Sequence, residues 1–152
     1  MLNKTLIAFI GCTKALSMWI HSAHHVSKGP SFGADHELLY GRIYNGILEN
    51  FDKLVEKSIV VTQSENCACP IKISKIASII LESYKSPVEK QPSVVAENAL
   101  EILGDHIVNL DELFKKLDAA DKLTLGMNDL LSSLANQYEE YYYLLNQRCK
   151  GG

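Results

Sequence analysis

Residues 21–57, HSAHHVSKGPSFGADHELLYGRIYNGILENFDKLVEK, hold the end of one helical pattern, a break, and the start of another. Upstream of the break, Leu6, Phe9, Ile10, Leu16, Ile20 and Ala23 recur near helical spacing, which predicts a first helix from about Leu2 to Val26. Lys28-Gly29-Pro30 ends it, because glycine leaves helical geometry freely and proline disfavours helix in the residue before it. Ser31 is the expected N-cap of a second helix, in which Leu39, Ile43, Ile47, Phe51 and Leu54 step by four, four, four and three. That apolar stripe faces a core, and the pattern fades near Val61.

Beyond the second helix, residues 62–91 read as a connection: Thr62 to Pro70 is polar, a shorter helix follows at about Ile73 to Tyr84, and Lys85 to Pro92 breaks it. The third long helix begins after Pro92, with Ser93 as the expected cap, and carries Leu103, Ile107, Leu110, Phe114 and Leu117 at spacings of four, three, four and three. Asp118 to Asp121 is the next turn. The fourth runs from about Leu123 or Met127 to Gln147, with Leu131, Leu134, Tyr138, Tyr141 and Leu145 on one face. No strand pattern competes. The chain is therefore expected to be all-α, a single domain over 1–152. Its four long helices, two short turns and one long crossover carrying a short extra helix match the ferritin-like four-helix bundle.

Composition agrees with a globular domain: 47% of the 152 residues are hydrophobic and 22% charged, which argues against global disorder. The net charge of -3, from 15 basic and 18 acidic residues, argues against nucleic-acid binding through a general excess of cations. Lys4, Lys14 and His21 interrupt the apolar N-terminus, so no membrane span is expected. Leu6 to Cys12 after Lys4 is a short version of a signal sequence, but the helical period continues unbroken past Cys12, which favours a helix of the fold. Cys12, Cys67, Cys69 and Cys149 lack the spacing of a disulfide framework, and reduced thiols in a cytoplasmic protein are the simpler reading. Cys67 and Cys69 are expected as exposed loop thiols, their spacing lacking the second ligand pair of a zinc site.

The densest cluster of potential ligands is His21, His24 and His25, followed across the break by Asp35, His36 and Glu37. On the second helix Glu49, Asp52 and Glu56 lie three and four residues apart, so their carboxylates project from nearly one face. Imidazoles and carboxylates together suit iron, manganese or zinc. An isolated acidic pair at this spacing is ordinarily a solvated face; three histidines within five residues are less ordinary.

His24, Gly29, Phe32, His36, Asp52 and Glu56 together resemble the signature segment of the Dps family, the miniferritins also called DNA-binding proteins from starved cells. The stretch from Met127 to Leu145 is similar to that family's last helix. The resemblance implies a hollow dodecamer whose metal sites are shared across two-fold interfaces, with His24 and His36 from one subunit and Asp52 and Glu56 from the other. The implied activity is oxidation of Fe(II) by hydrogen peroxide or dioxygen, with ferric mineral stored in the cavity; His21, His25, Glu37 and Glu49 are possible additional ligands.

Three departures bear on activity. Asp52 follows His36 by sixteen residues where the family has fifteen, so either His36 keeps its role with the insertion after it or Glu37 takes the place. The family's aspartate four residues after the second histidine is missing, its position held by Tyr40 or Gly41. The tryptophan that follows the first histidine in the family is His25 here. A non-catalytic shell or interaction protein that has lost an efficient iron site is the competing reading. An ordinary ferritin is a weaker one, since no Glu-x-x-His occurs in the chain. The Lys-rich tails used by DNA-binding members are also absent, so DNA binding is not expected.

Overall fold

The computed structural model describes residues 2–151, whose regular structure is all helix, with no strand among the described residues. Five α-helices follow in order: α1 (Leu2–Val26), α2 (Arg42–Thr62), α3 (Pro70–Ser83), α4 (Pro92–Ala119) and α5 (Leu125–Lys150). A π-helix, Ala34–Gly41, leads directly into α2, and a short 3-10 turn, Glu65–Ala68, precedes α3.

The break after α1 follows from its residues. Gly29 takes a left-handed φ of 78°, open to glycine at no steric cost, and Phe32 N–H closes the turn on Gly29 O at 3.0 Å. Ser31 precedes the first helical turn and its carbonyl accepts from Asp35 N–H at 2.9 Å, but its side chain makes no cap bond, and Gly33 is the N-cap of the π-helix, which has no side-chain cap. The helix that follows begins with a wide π segment, which the period-four stripe does not reveal.

Prolines set two other boundaries differently from the sequence expectation. α4 starts at Pro92 with Gln91 as N-cap, so Ser93 lies inside the first turn and caps nothing; α3 likewise starts at Pro70 rather than near Ile73. Proline suits the first helical position because its N–H has no partner there and its φ is preset. Thr124 caps α5, its hydroxyl accepting from Met127 N–H at 3.0 Å.

α1 is the hub, touching α2, α3, α4 and the π-helix, while α5 packs on α4 and α2. α1 and α2 run antiparallel: His21 stacks on Tyr44 near one end, and the Lys14 ammonium lies 5.5 Å from the Phe51 ring centroid further along. The stripes read from the sequence form the core, with Leu6, Ile10, Leu16, Ile20, Ile43, Ile47, Leu103, Leu117 and Leu145 fully buried. Each such side chain contributes roughly 1.5–3 kcal/mol of transfer free energy. α3 fastens on α1 at Gly11, where an added Cβ would lie 2.3 Å from Ile76 Cγ2. Trp19 Nε1–H donates to Lys85 O at 2.8 Å and ties down the chain beyond α3.

The reading of the apolar N-terminal helix is refined, and that of the loop thiols is corrected. α1 is long and apolar enough, by length and composition, to cross a membrane despite Lys4 and Lys14; 67% of an apolar 18-residue stretch of it is buried inside the fold. All four cysteines are free, but Cys67 is not an exposed loop thiol: the 3-10 turn folds it fully inside, with its sulfur 3.7 Å from Thr62 Oγ1 and Asn3 Oδ1. Cys69 is half-buried at the N-cap of α3, where the backbone N–H groups of Lys72 and Ile71 favour its thiolate and draw its pKa down.

Candidate metal centre

The end of α1 and the π-helix meet at His24 and His36. Their rings stack at 3.7 Å between centroids with 21° between planes, and Phe32 stacks on the other side at 4.9 Å from His36. His24 Nδ1 lies 2.6 Å from the His36 carbonyl oxygen. A carbonyl only accepts, so His24 Nδ1 carries the hydrogen and its Nε2 lone pair is free. Gly41 makes the approach possible: a Cβ there would lie 2.8 Å from His36 O and 3.4 Å from His24 Nδ1.

His36 Nδ1 lies 2.9 Å from Glu37 Oε1, with the His36 side chain 27% exposed and that of Glu37 70% exposed. Ligand atoms of His24, His36 and Glu37 all fall within 4.8 Å of one another. Two imidazoles and a carboxylate are a donor set for iron, manganese or zinc. Metal–nitrogen bonds of about 2.0–2.1 Å require the group to tighten around an ion. Stacked rings direct their in-plane lone pairs side by side, so a single ion takes both only after one ring turns.

His21 and His25 border this group without joining it. His21 stacks on Tyr44 at 3.9 Å and lies 4.3 Å from the His25 ring; its pKa is lowered by desolvation first, and then by the neighbouring imidazoles of His25 and His24. His25 is exposed.

Asp52 and Glu56 are exposed on α2 and form no ion pair among the described residues. Within one chain they do not meet the histidines. Asp52 adjoins Phe51, which sits at the level of Lys14, and helical rise places it on the order of 20 Å from the His36 end. Glu49 is exposed, close enough to Tyr141 that it helps raise that hydroxyl's pKa after burial and Glu140.

Asp35, which the sequence places in the same ligand cluster, is committed elsewhere. Its carboxylate is buried and accepts from Arg148 Nε at 2.9 Å and from a terminal guanidinium nitrogen at 3.2 Å. Tyr40 is buried beside this pair, and burial first, then Asp35, pushes its hydroxyl well above the usual tyrosine range. Tyr40 and Gly41 thus serve packing and close approach, and neither supplies a ligand in place of the missing aspartate. Sequence reasoning missed the Asp35–Arg148 pair because 113 residues separate the partners. It missed the role of Gly41 because a permissive glycine leaves no periodic trace.

No protein-family model matches the chain, and no curated protein does.

Proposed function

We propose that the protein is a ferritin-like four-helix bundle of the Dps type that assembles as a dodecamer, oxidises Fe(II) with hydrogen peroxide or dioxygen, and stores the ferric product. The observation that carries this reading is the convergence of His24, His36 and Glu37 at one end of α1, against a separate, solvent-facing Asp52 and Glu56 on α2. One chain keeps the two halves apart, so a complete site needs a second copy to bring its α2 carboxylates to these histidines. The packing of α1 on α2 and α4, with α5 on α4 and α2 and a crossover helix outside, supports the bundle topology. The one-residue excess between His36 and Asp52 coincides with the π-helix, whose wider i to i+5 turns absorb an extra residue.

Iron is the substrate here. His24 and His36 bind Fe(II) through neutral imidazole nitrogens, and the carboxylates favour the higher charge of Fe(III), so oxidation is promoted by differential stabilisation of the product ion. The net charge of -3 per subunit favours cation uptake over DNA coating. A cytoplasmic location belongs to the same proposal.

The test is anaerobic Fe(II) loading followed by oxidant, with absorbance recorded for the wild type and for His24→Ala and Asp52→Ala variants. Slow oxidation in both variants is expected; rates equal to wild type would sink the shared site. A second reading, a shell without an efficient iron site, draws on the side-by-side imidazole stacking and on the Asp35 carboxylate being held by Arg148. It predicts that the wild type itself oxidises Fe(II) no faster than the His24→Ala and Asp52→Ala variants.

A further inference from the structure

We propose that the π-helix sets the coordination chemistry of the centre, with His36 as the ligand and Glu37 as a positioning residue that fixes the His36 tautomer. The inference rests on the reading of this group as a metal site and deepens it. In a regular α-helix, successive side chains diverge around the axis and do not face each other. In the π-helix Ala34–Gly41, where Arg42 N–H reaches back to Glu37 O, the His36 and Glu37 side chains meet at 2.9 Å.

A carboxylate accepts, so the contact places the hydrogen on His36 Nδ1 and leaves Nε2 as the free lone pair. The same turn presents the His36 carbonyl to His24 Nδ1 at 2.6 Å, with the same consequence for the second ring. Both imidazoles are thereby held in one tautomer, with Nδ1 occupied and Nε2 open. This is the carboxylate–histidine and carbonyl–histidine arrangement that orients metal-ligating rings. Glu37 is largely exposed, as an outer partner can be, while the His36 ring is held between His24 and Phe32. The extra residue before Asp52 is on this view a functional part of the helix, since it brings a carboxylate against His36 Nδ1.

The experiment is Co(II) titration of the intact assembled protein, followed by its visible absorption, for wild type, Glu37→Gln, Glu37→Ala and His36→Ala. Glutamine retains an acceptor for Nδ1–H, so Glu37→Gln should keep the wild-type spectrum at saturation and bind more tightly than Glu37→Ala. Glu37→Ala should bind about 10–100-fold more weakly than wild type. His36→Ala should bind weakest, with an altered spectrum. Alanine at 37 binding as tightly as wild type overturns the proposal, as does a Glu37→Gln spectrum that reports a lost ligand, which would make Glu37 the ligand itself. Co(II) binding with this dependence on residue 37, but without Fe(II) oxidation, removes the iron-oxidation reading and leaves this one standing. No Co(II) uptake by the wild type overturns both.

Discussion

At the scale of single residues, Gly41 and His106 show how differently two buried positions can matter. Gly41 leaves room for His24 against the π-helix, and Gly41→Ala would put a methyl group 2.8 Å from the His36 carbonyl and 3.4 Å from His24 Nδ1. The 2.8 Å clash with a backbone atom forces the helix itself to shift and the methyl crowds His24, so the His24–His36 contact is disturbed and Co(II) affinity should fall by about tenfold or more. An alanine variant with wild-type affinity would show that the His24–His36 contact is dispensable. His106 lies outside the candidate centre, stacked on Phe9 at 4.9 Å and edge-on to Tyr138 at 5.0 Å, with Nε2 buried and without a partner. Burial holds its pKa down at about 3. The folded state therefore keeps it neutral while the unfolded chain takes up a proton near pH 6.5. Its contribution to stability is intact above that pH and is lost as pH falls towards 3, by about 1.4 kcal/mol per pH unit. Urea unfolding at pH 7.5 and pH 5.0 should show wild type losing roughly 2 kcal/mol more than His106→Leu. Equal losses would mean that the ring is hydrated or already charged in the fold.

At the scale of elements, the lengths and inward faces of the long helices were legible because burial selects an apolar residue every three or four positions. Leu131, Leu134, Tyr138, Tyr141 and Leu145 are all buried on α5, as their spacing predicts. The π-helix was not legible, since Leu39 and Ile43 keep a four-residue step across its end and the change of hydrogen-bond register leaves no mark on composition. Nor was the docking of α3 on α1, which depends on one glycine opposite one branched side chain. Gly11→Ala places Cβ at 2.3 Å from Ile76 Cγ2 and 2.6 Å from Ile76 Cβ, too close for a rotamer change to relieve. It should destabilise by about 1–3 kcal/mol in denaturant unfolding. Combined with Ile76→Ala, the loss should fall short of the summed single losses by about 0.5–3 kcal/mol. Strict additivity would contradict the α1–α3 contact at this site.

At the scale of the whole molecule, the Asp35–Arg148 pair joins the beginning of the second helical segment to the last turn of α5. The side chains are only 3% and 16% exposed, so removing Arg148 strands the Asp35 carboxylate in a dry setting. Arg148→Met should cost about 3–5 kcal/mol, and Asp35→Leu in the same chain should restore much of it. Urea midpoints within error of wild type for the single variant would rule out a buried pair in solution. Native mass spectrometry should find twelve subunits if the carboxylates of α2 complete a neighbour's centre, and a monomer would remove that arrangement. The sequence by itself determined the helical class and the long helices, because these follow from local periodicity, and it marked the histidine- and carboxylate-rich segments through residue chemistry. Tertiary structure alone decided which side chains come together: His24 with His36 and Glu37, Asp35 with Arg148, and Asp52 with neither in one chain. The physical reason is that helix formation is written in neighbours three and four apart. A site depends on hydrogen-bond register and on contacts between residues far apart in the chain.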